Sequence, residues 1–364
     1  MRILVLANFG MGLYNFRKEL LKELIKNNHE VFISLPKDEY KPKLEEIGCE
    51  FIDTPVSRRG TNPITDFKLF MNYKKIIKEI KPDIVLTYTI KPNVYGGLAC
   101  RVTKTPCIVN ITGLGTAVEN GGVLQRITLY LYRISLKKVN CVFFQNEENK
   151  KTLIKSKAIV GKNMVLPGSG VNLEHYNLME YPKPQVVNFL FISRIMKEKG
   201  IDQYLEAASY LKQKYSNVNF HIVGFCESEY KNKLTNMQDK GVIEYHGKQS
   251  DVKRFYEISH CTVHPSYYPE GMSNVLLESA ACGRPIITTN RSGCGEVVDE
   301  GVNGYKVKPE NSNDLIEKME KFLNLSYETK VKMGLSGRRK VEIQFNRRTV
   351  IDTYLAEIHN ITER

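Results

Sequence analysis

The sequence predicts an α/β protein of two domains, each a parallel sheet covered by helices on both faces. Three observations carry this. The chain is 364 residues long, more than one ordinary core accommodates, which suggests two domains of common size. Short, nearly continuous apolar runs recur between longer amphipathic stretches, as expected of parallel strands buried on both faces and joined by crossover helices. A stretch without periodicity and rich in Pro, Gly and Asn, PGSGVNLEHYNLMEYPKP at 167–184, separates two such series.

In the first series the strand candidates are RILVLAN (2–8), EVFISL (30–35), IVLTY (84–88), CIVNI (107–111) and CVFFQ (141–145). Helical patterns such as YNFRKELLKELIKNN and ITDFKLFMNYKKIIKEI lie between them. The second series runs VVNFLFIS (186–193), NFHIVG (219–224), VIEYHG (242–247), CTVHPS (261–266) and PIITT (285–289). The expected boundaries are a first domain at 1–166, a linker at 167–184, a second domain at 185–345, and a charged helix at 346–364 placed to pack back on the first domain. Two such domains are expected to face each other across a cleft lined by the carboxyl ends of both sheets, where ligands bind in this fold class.

The composition, 42% hydrophobic and 26% charged, is that of a folded soluble chain. The net charge of +13 is uneven: residues 1–180 hold 27 Lys+Arg against 17 Asp+Glu. That surplus suits an anionic partner, whether a phospholipid surface, a phosphorylated substrate or nucleic acid, and equally suits a well-solvated lysine-rich surface. The eight cysteines form no C-x-x-C and several sit in strand-like runs, so they read as buried small hydrophobes in a reducing compartment. No apolar stretch approaches the roughly 20 residues of a membrane-spanning helix. The expected location is cytoplasmic, with any contact to the inner face of the cell membrane peripheral. The segment 121–140 has an apolar stripe, Leu124, Ile127, Leu131 and Ile134 or Leu136, flanked by Arg126, Arg133, Lys137 and Lys138. It reads as a buried crossover helix or as a surface for an anionic membrane, with Tyr130 and Tyr132 near the interface and Arg58 and Arg59 adding charge on a loop.

The chemistry concentrates in PSYYPEGMSNVLLESAACGRPIITT (265–289). YYPEGM supplies a turn, and SNVLLESAACG reads as a helix with Ser273 or Asn274 as N-cap and Gly283 as terminator. Glu270 precedes that helix and Glu278 lies about one turn inside it. Two carboxylates so placed suit an extended, hydroxyl-rich ligand, because each ionised carboxylate accepts from two hydroxyls; a turn residue and a solvated helix residue would show the same spacing. Arg194 and Lys199 follow the strand VVNFLFIS, where two cations beside a helix N-terminus suit a diphosphate, as they would an ordinary surface loop. In FGMGLYNF, Gly10 and Gly12 are placed where a side chain would crowd a ligand, with Tyr14 and Asn15 following. The third glycine of a dinucleotide fingerprint is missing, which disfavours an NAD-dependent oxidoreductase.

Together NFGMGLYNFRKEL, SRIMKEKG, PEGMSNVLLESAACGRPII with its E-x7-E spacing, and SGCGEVVDEGVNGYKV resemble the retaining glycosyltransferases of family 4, whose architecture is GT-B, two Rossmann-like domains. TYTIKPNVYG and NITGLGTA are similar to segments of enzymes of bacterial capsule or lipid-linked oligosaccharide synthesis. The resemblance implies transfer of a sugar, an N-acetylhexosamine among the candidates, from a nucleoside-diphosphate donor, a UDP-sugar first, to an undecaprenyl-diphosphate-linked or polysaccharide acceptor bound by the first domain. It implies that Glu278 binds the ribose, that Glu270 faces the donor sugar, and that Arg194 and Lys199 hold the diphosphate with help from the amides of Gly271, Met272, Ser273 and Asn274. Family members often carry a histidine near the donor sugar; the NITGLG region has none, leaving Thr112 and Gly113 as candidates there. No D-x-D occurs and no His/Asp/Cys cluster has metal-ligand spacing along the chain, so the chemistry is expected to need neither metal nor cofactor beyond the donor. A nucleotide-sugar epimerase is an alternative enzyme. Nucleic-acid binding, the alternative suggested by charge, has no supporting motif.

Overall fold

A computed structural model of the chain describes residues 1–57, 60, 62–119, 121–226 and 228–363, so Arg58 and Arg59 lie outside the described residues. Two units emerge, one of Met1–Ser169 with Arg348–Arg364, the other of Gly170–Arg347.

Among the described residues the first unit has seven parallel strands: β1 (Arg2–Leu6), β2 (Glu30–Leu35), β3 (Glu50–Asp53), β4 (Ile84–Tyr88), β5 (Cys107–Ile111), β6 (Cys141–Phe144) and β7 (Asn163–Val165). Their order is β3-β2-β1-β4-β5-β6-β7, so the direction of winding reverses between β1 and β4. Successive strand side chains point to opposite faces, and β1 divides accordingly. Ile3 and Val5 join Leu13, Leu20 and Leu24 in one core cluster, while Leu4 and Leu6 join Tyr73, Ile77 and Tyr132 in another. The helix Arg347–Thr362 contributes Val350, Ile351, Tyr354 and Ile358 to the first of these clusters.

The second unit has β8 (Val187–Ile192), β9 (Val218–Val223), β10 (Glu244–Tyr245), β11 (Cys261–His264), β12 (Ile286–Thr289) and β13 (Gly304–Val307) in parallel order β10-β9-β8-β11-β12-β13 among the described residues. Here the reversal falls between β8 and β11. Much of the Pro- and Gly-rich stretch belongs to this unit. Tyr181 is buried and its hydroxyl donates to the His260 carbonyl at 2.7 Å. The fully buried Arg284 donates through Nη2 to the Glu180 carbonyl at 2.7 Å. These bonds give a buried guanidinium its acceptors and tie the stretch down.

The principal strands fall where the apolar runs predicted them. Three short strands were not anticipated: β3, β7 and β13. Residues Glu50–Asp53 of β3 and Asn163–Val165 of β7 lie at the sheet margins and are only partly buried, so no apolar run announces them. β13 opens on Gly304, where an added Cβ would stand 1.9 Å from the Ile286 carbonyl oxygen; close strand approach, and not a turn, demands that glycine. All eight cysteines are buried and none is in a disulfide among the described residues, in keeping with their apolar settings.

The helix Gly122–Ser135 corrects the stripe read from 121–140. Its buried residues are Thr128, Tyr132 and Ser135, whereas Leu124 and Ile127 are exposed. Tyr132 fills the core together with Leu136, the one stripe residue that is buried, while Leu129 and Leu131 are only partly covered. No helix among the described residues is long and apolar enough to cross a membrane.

Candidate functional site

The two loops singled out in the second half leave neighbouring strands at the reversal point. Arg194 and Lys199 follow β8, Glu270 follows β11, and β8 pairs with β11 through Cys261↔Phe189 and Thr262↔Leu190. In open parallel sheets this is where ligands bind, because the crossovers diverge and leave the strand ends uncovered. The loops are fastened together. The amides of Tyr267 and Tyr268 both donate to the Glu198 carbonyl at 2.9 Å. Gly200 adopts φ +77°, and an added Cβ would lie 2.2 Å from the Pro265 carbonyl oxygen, so the approach admits no side chain.

Across this junction Lys199 Nζ forms an ion pair with Glu270 Oε1, with side-chain exposures of 10% and 18%. Lys199 Nζ also lies 4.8 Å from the centre of the Tyr268 ring, and the Arg194 guanidinium 5.9 Å from it. Arg194 is exposed, Lys199 buried. His264, the last residue of β11, is buried and places Nε2 3.8 Å from Glu270 Oε1. Burial pushes the Glu270 carboxyl up, but Lys199 and then His264 outweigh it and hold it down at about 2. Burial lowers His264, and the nearby Lys199 acts in the same direction. Glu270 is therefore an ionised acceptor at neutral pH, backed by a neutral imidazole. Nothing in CTVHPS marks His264 as a site residue, since its adjacency to Glu270 arises only when the chain turns after the strand.

Gly271, Met272 and Ser273 are buried between β11 and the helix Asn274–Ala281. Met272 sits in a core cluster with Leu276, Leu277 and Cys294. The Ser273 amide donates to the Gly293 carbonyl at 2.7 Å, which corrects the expectation that it is available to a phosphate. Asn274 Oδ1 is buried without a hydrogen-bond partner among the described residues. Glu278, partly buried on the helix, accepts from the Tyr256 hydroxyl at 3.1 Å. Burial pushes its carboxyl up to about 7, with Tyr256, Arg347 and Tyr176 pulling the other way. The two carboxylates thus differ in kind: one is fixed in its charged form, the other titrates near neutrality.

In the first unit, Gly10 opens the helix Gly10–Lys26, so FGMG is helix start and not an extended loop. The Gly10 amide donates to Asp38 Oδ2 at 2.6 Å, and an added Cβ would meet Asp38 and Tyr40; at Gly12 it would meet the Phe9 ring. Neighbouring protein atoms explain both glycines. Tyr14 packs against Tyr40 with ring centres 5.8 Å apart, while Asn15 is exposed. Thr112 and Gly113 follow β5. A feature that motif reading missed stands near the carboxyl ends of β1 and β4. Asn8 Oδ1, Tyr88 Oη, Thr89 Oγ1 and Arg17 Nε are buried without hydrogen-bond partners among the described residues. Thr89 adopts φ +74°, a strained conformation for a β-branched residue. Orphaned buried polar atoms at a reversal point suit a polar ligand.

A convergence of possible metal ligands appears in the fold that linear spacing did not announce. Although no cluster is visible along the chain, His221, Glu244 and His246 converge in space, their ligand atoms all within 4.8 Å of one another.

Two doubly wound parallel-sheet units, each with a reversal of winding, define the α/β class in which ligands bind at the carboxyl ends of the strands. The comparisons specify it. The family model for glycosyl transferases group 1 matches residues 181–340, and that for glycosyl transferase 4-like proteins matches residues 2–146. The chain belongs to this glycosyltransferase family and has the GT-B fold. It is 28% identical to the N,N'-diacetylbacillosaminyl-diphospho-undecaprenol alpha-1,3-N-acetylgalactosaminyltransferase of Campylobacter jejuni, over 98% of this chain and 97% of that one. In structure it is similar to a glycosyltransferase from Rickettsia africae, with a TM-score of 0.81, 22% identity, and coverage of 99% of this chain and 98% of that one. It is also similar to Anabaena HepE in complex with UDP and glucose, with a TM-score of 0.79, 17% identity and 99% coverage of both chains.

Proposed function

We propose that the protein is a retaining glycosyltransferase that moves a sugar, N-acetylhexosamine first among candidates, from a UDP-sugar to an undecaprenyl-diphosphate-linked acceptor in cell-surface glycan synthesis. The observation that carries this is the union of the Arg194–Lys199 loop and the Glu270 loop at the reversal between β8 and β11. The Campylobacter relative, matched over nearly its whole length, is named for an undecaprenol-diphosphate acceptor, and HepE was captured with UDP.

In this reading Glu278 and Asn274 receive the ribose hydroxyls, and Arg194 and Lys199 face the diphosphate. Glu270 accepts from a hydroxyl of the donor sugar while keeping Lys199 in place. Cleavage of the sugar–phosphate bond leaves its electron pair on the departing diphosphate. Fixed cations stabilise that charge more in the transition state than before it, so a divalent ion is not required to neutralise it. The departing phosphate oxygen takes the acceptor hydroxyl's proton as the new bond forms on the same face, which gives retention. The acceptor belongs to the first unit, where the orphaned polar atoms of Asn8, Tyr88 and Thr89 and the buried guanidinium of Arg17 suit an anionic, hydroxyl-bearing head group.

The first unit also offers a surface for the membrane in which such an acceptor resides. Val123, Leu124, Ile127 and Tyr130 are exposed on the helix Gly122–Ser135, and Ile64, Phe67 and Met71 on the helix Pro63–Ile80. Both helices pack through Tyr132 and Tyr73 onto the same core cluster, which puts them on one side of the sheet. Exposed Arg126, Arg133 and Lys137 add the charge that anionic lipid attracts.

The test is transfer from UDP-N-acetylgalactosamine, UDP-N-acetylglucosamine and UDP-galactose to a short-chain undecaprenyl-diphosphate-linked sugar, with EDTA present and followed by mass spectrometry. Addition of one sugar with the α configuration is expected for one of the donors. Epimerised donor without transfer would favour the epimerase reading, and activity that requires added magnesium would overturn the metal-free chemistry.

A further inference from the structure

Strand β10 consists of only Glu244 and Tyr245, at the edge of the second sheet. Glu244 is in register with His221 of β9. Because strand side chains alternate, Glu244 and His246 leave the chain on one side, and the register puts them beside His221. His221 Nδ1 lies 3.1 Å from His246 Nε2 and 3.3 Å from Glu244 Oε2, and the last two are 4.0 Å apart.

Two of these separations are close to those of donors around one small divalent ion, and the third is a few tenths of an ångström wider. With bonds of about 2.0–2.2 Å to nitrogen and oxygen, tetrahedral donors stand roughly 3.3–3.5 Å apart. A single proton bridges only two of the three converging lone pairs, whereas a dication satisfies all of them. Lys212 is engaged by the Val218 carbonyl at 2.7 Å and Asn219 at 3.1 Å, while Arg254 is occupied by Gln249 at 2.7 Å. His221 is buried and Glu244 half exposed, which gives a ligand set closed on the protein side and open to water at a fourth position.

We propose that His221, Glu244 and His246 form a binding site for a borderline divalent cation of the zinc class, which fastens β10 to β9. The ion sits apart from the Lys199–Glu270 pair in role: it supports the edge of the sheet. Its effect extends to the next turn, where the Gly224 amide donates to the Gly247 carbonyl at 2.9 Å and Gln249 Nε2 donates to the His246 carbonyl at 2.5 Å. Two imidazoles and one carboxylate favour zinc or cobalt over magnesium, which prefers all-oxygen ligation.

The test uses the full chain stripped with chelator and returned to metal-free buffer. Cobalt(II) titration is expected to give the intense visible bands of a low-symmetry four-coordinate site, saturating at one ion per chain and bleached by zinc. Zinc is expected to raise the melting temperature by several degrees through linkage, and magnesium to leave it unchanged. Glu244→Gln and His246→Ala alter the exposed members and are expected to weaken cobalt affinity at least tenfold, with circular dichroism unchanged. Absence of the cobalt bands in the native chain, or bands of equal affinity in both variants, overturns the proposal. Because binding is read without substrate, the result is independent of whether the transfer reaction has been assigned correctly.

Discussion

Glu278 offers a direct way to separate ribose recognition from the rest of the reaction. Burial moves its carboxyl from an ordinary 4.5 to about 7, a preference of about 3 kcal/mol for the protonated form. In the proposed complex the ribose hydroxyls donate to this group, so binding selects the carboxylate. At about pH 6 roughly nine molecules in ten carry the proton, and at about pH 8 roughly one in ten. Affinity for UDP should therefore rise about tenfold across that window. The nucleotide's own phosphate titrates near pH 6 in the same direction, so the informative quantity is the difference between the native chain and Glu278→Gln, measured by calorimetry at several pH values. The sign for stability is opposite. A carboxyl whose pKa is raised on folding holds a proton that the unfolded chain has released, so its contribution to stability falls as pH rises from 4.5 through about 7. If UDP affinity has the same pH dependence in native and Glu278→Gln protein, the carboxylate does not take the ribose and the reasoning fails.

Lys199→Met should lower kcat/KM and also destabilise the fold by about 3–5 kcal/mol, because it strands the Glu270 charge in a buried place. Adding Glu270→Gln should restore most of the melting temperature but not turnover; a double variant no more stable than Lys199→Met would show that the pair is not coupled. Ile127→Ser with Tyr130→Ser should reduce cosedimentation with anionic vesicles, and binding by the native chain should weaken as salt rises, since exposed charges are screened over about 8 Å at physiological ionic strength. Equal binding to neutral and anionic vesicles would remove the electrostatic part of the membrane proposal.

The loops that meet at β8 and β11 were legible in the sequence because each follows an unmistakable apolar strand, and turn residues such as Pro269 and Gly271 mark the change of direction. Their mutual relation was not. Lys199 and Glu270 are 71 residues apart, and only the pairing of β8 with β11 brings them into contact, which turns two independent ligand candidates into one ion pair. The helix Gly122–Ser135 failed for a different reason. Helical periodicity identifies an apolar face without saying which way it turns, and here Tyr132 with the small polar Thr128 and Ser135 fits the crowded sheet surface while Leu124 and Ile127 face outward. His221 escaped notice beside Glu244 and His246 because its nearness comes from register between strands, and the alternating spacing of the other two shows only that they share a side.

The placement of Val350, Ile351, Tyr354 and Ile358 has a consequence for synthesis. These side chains complete the core of a sheet whose strands all come from residues 2–165, so the first unit begun on the ribosome is not the first that can be finished. Gly170–Arg347 is contiguous and can close as soon as its last strand and helices emerge. The earlier sheet must wait, with the face around Phe143 that Tyr354 covers left open, until some 180 further residues have been made, an interval of about 10–40 seconds at bacterial to eukaryotic rates. During that interval the nascent chain presents a surface that a holding chaperone would recognise.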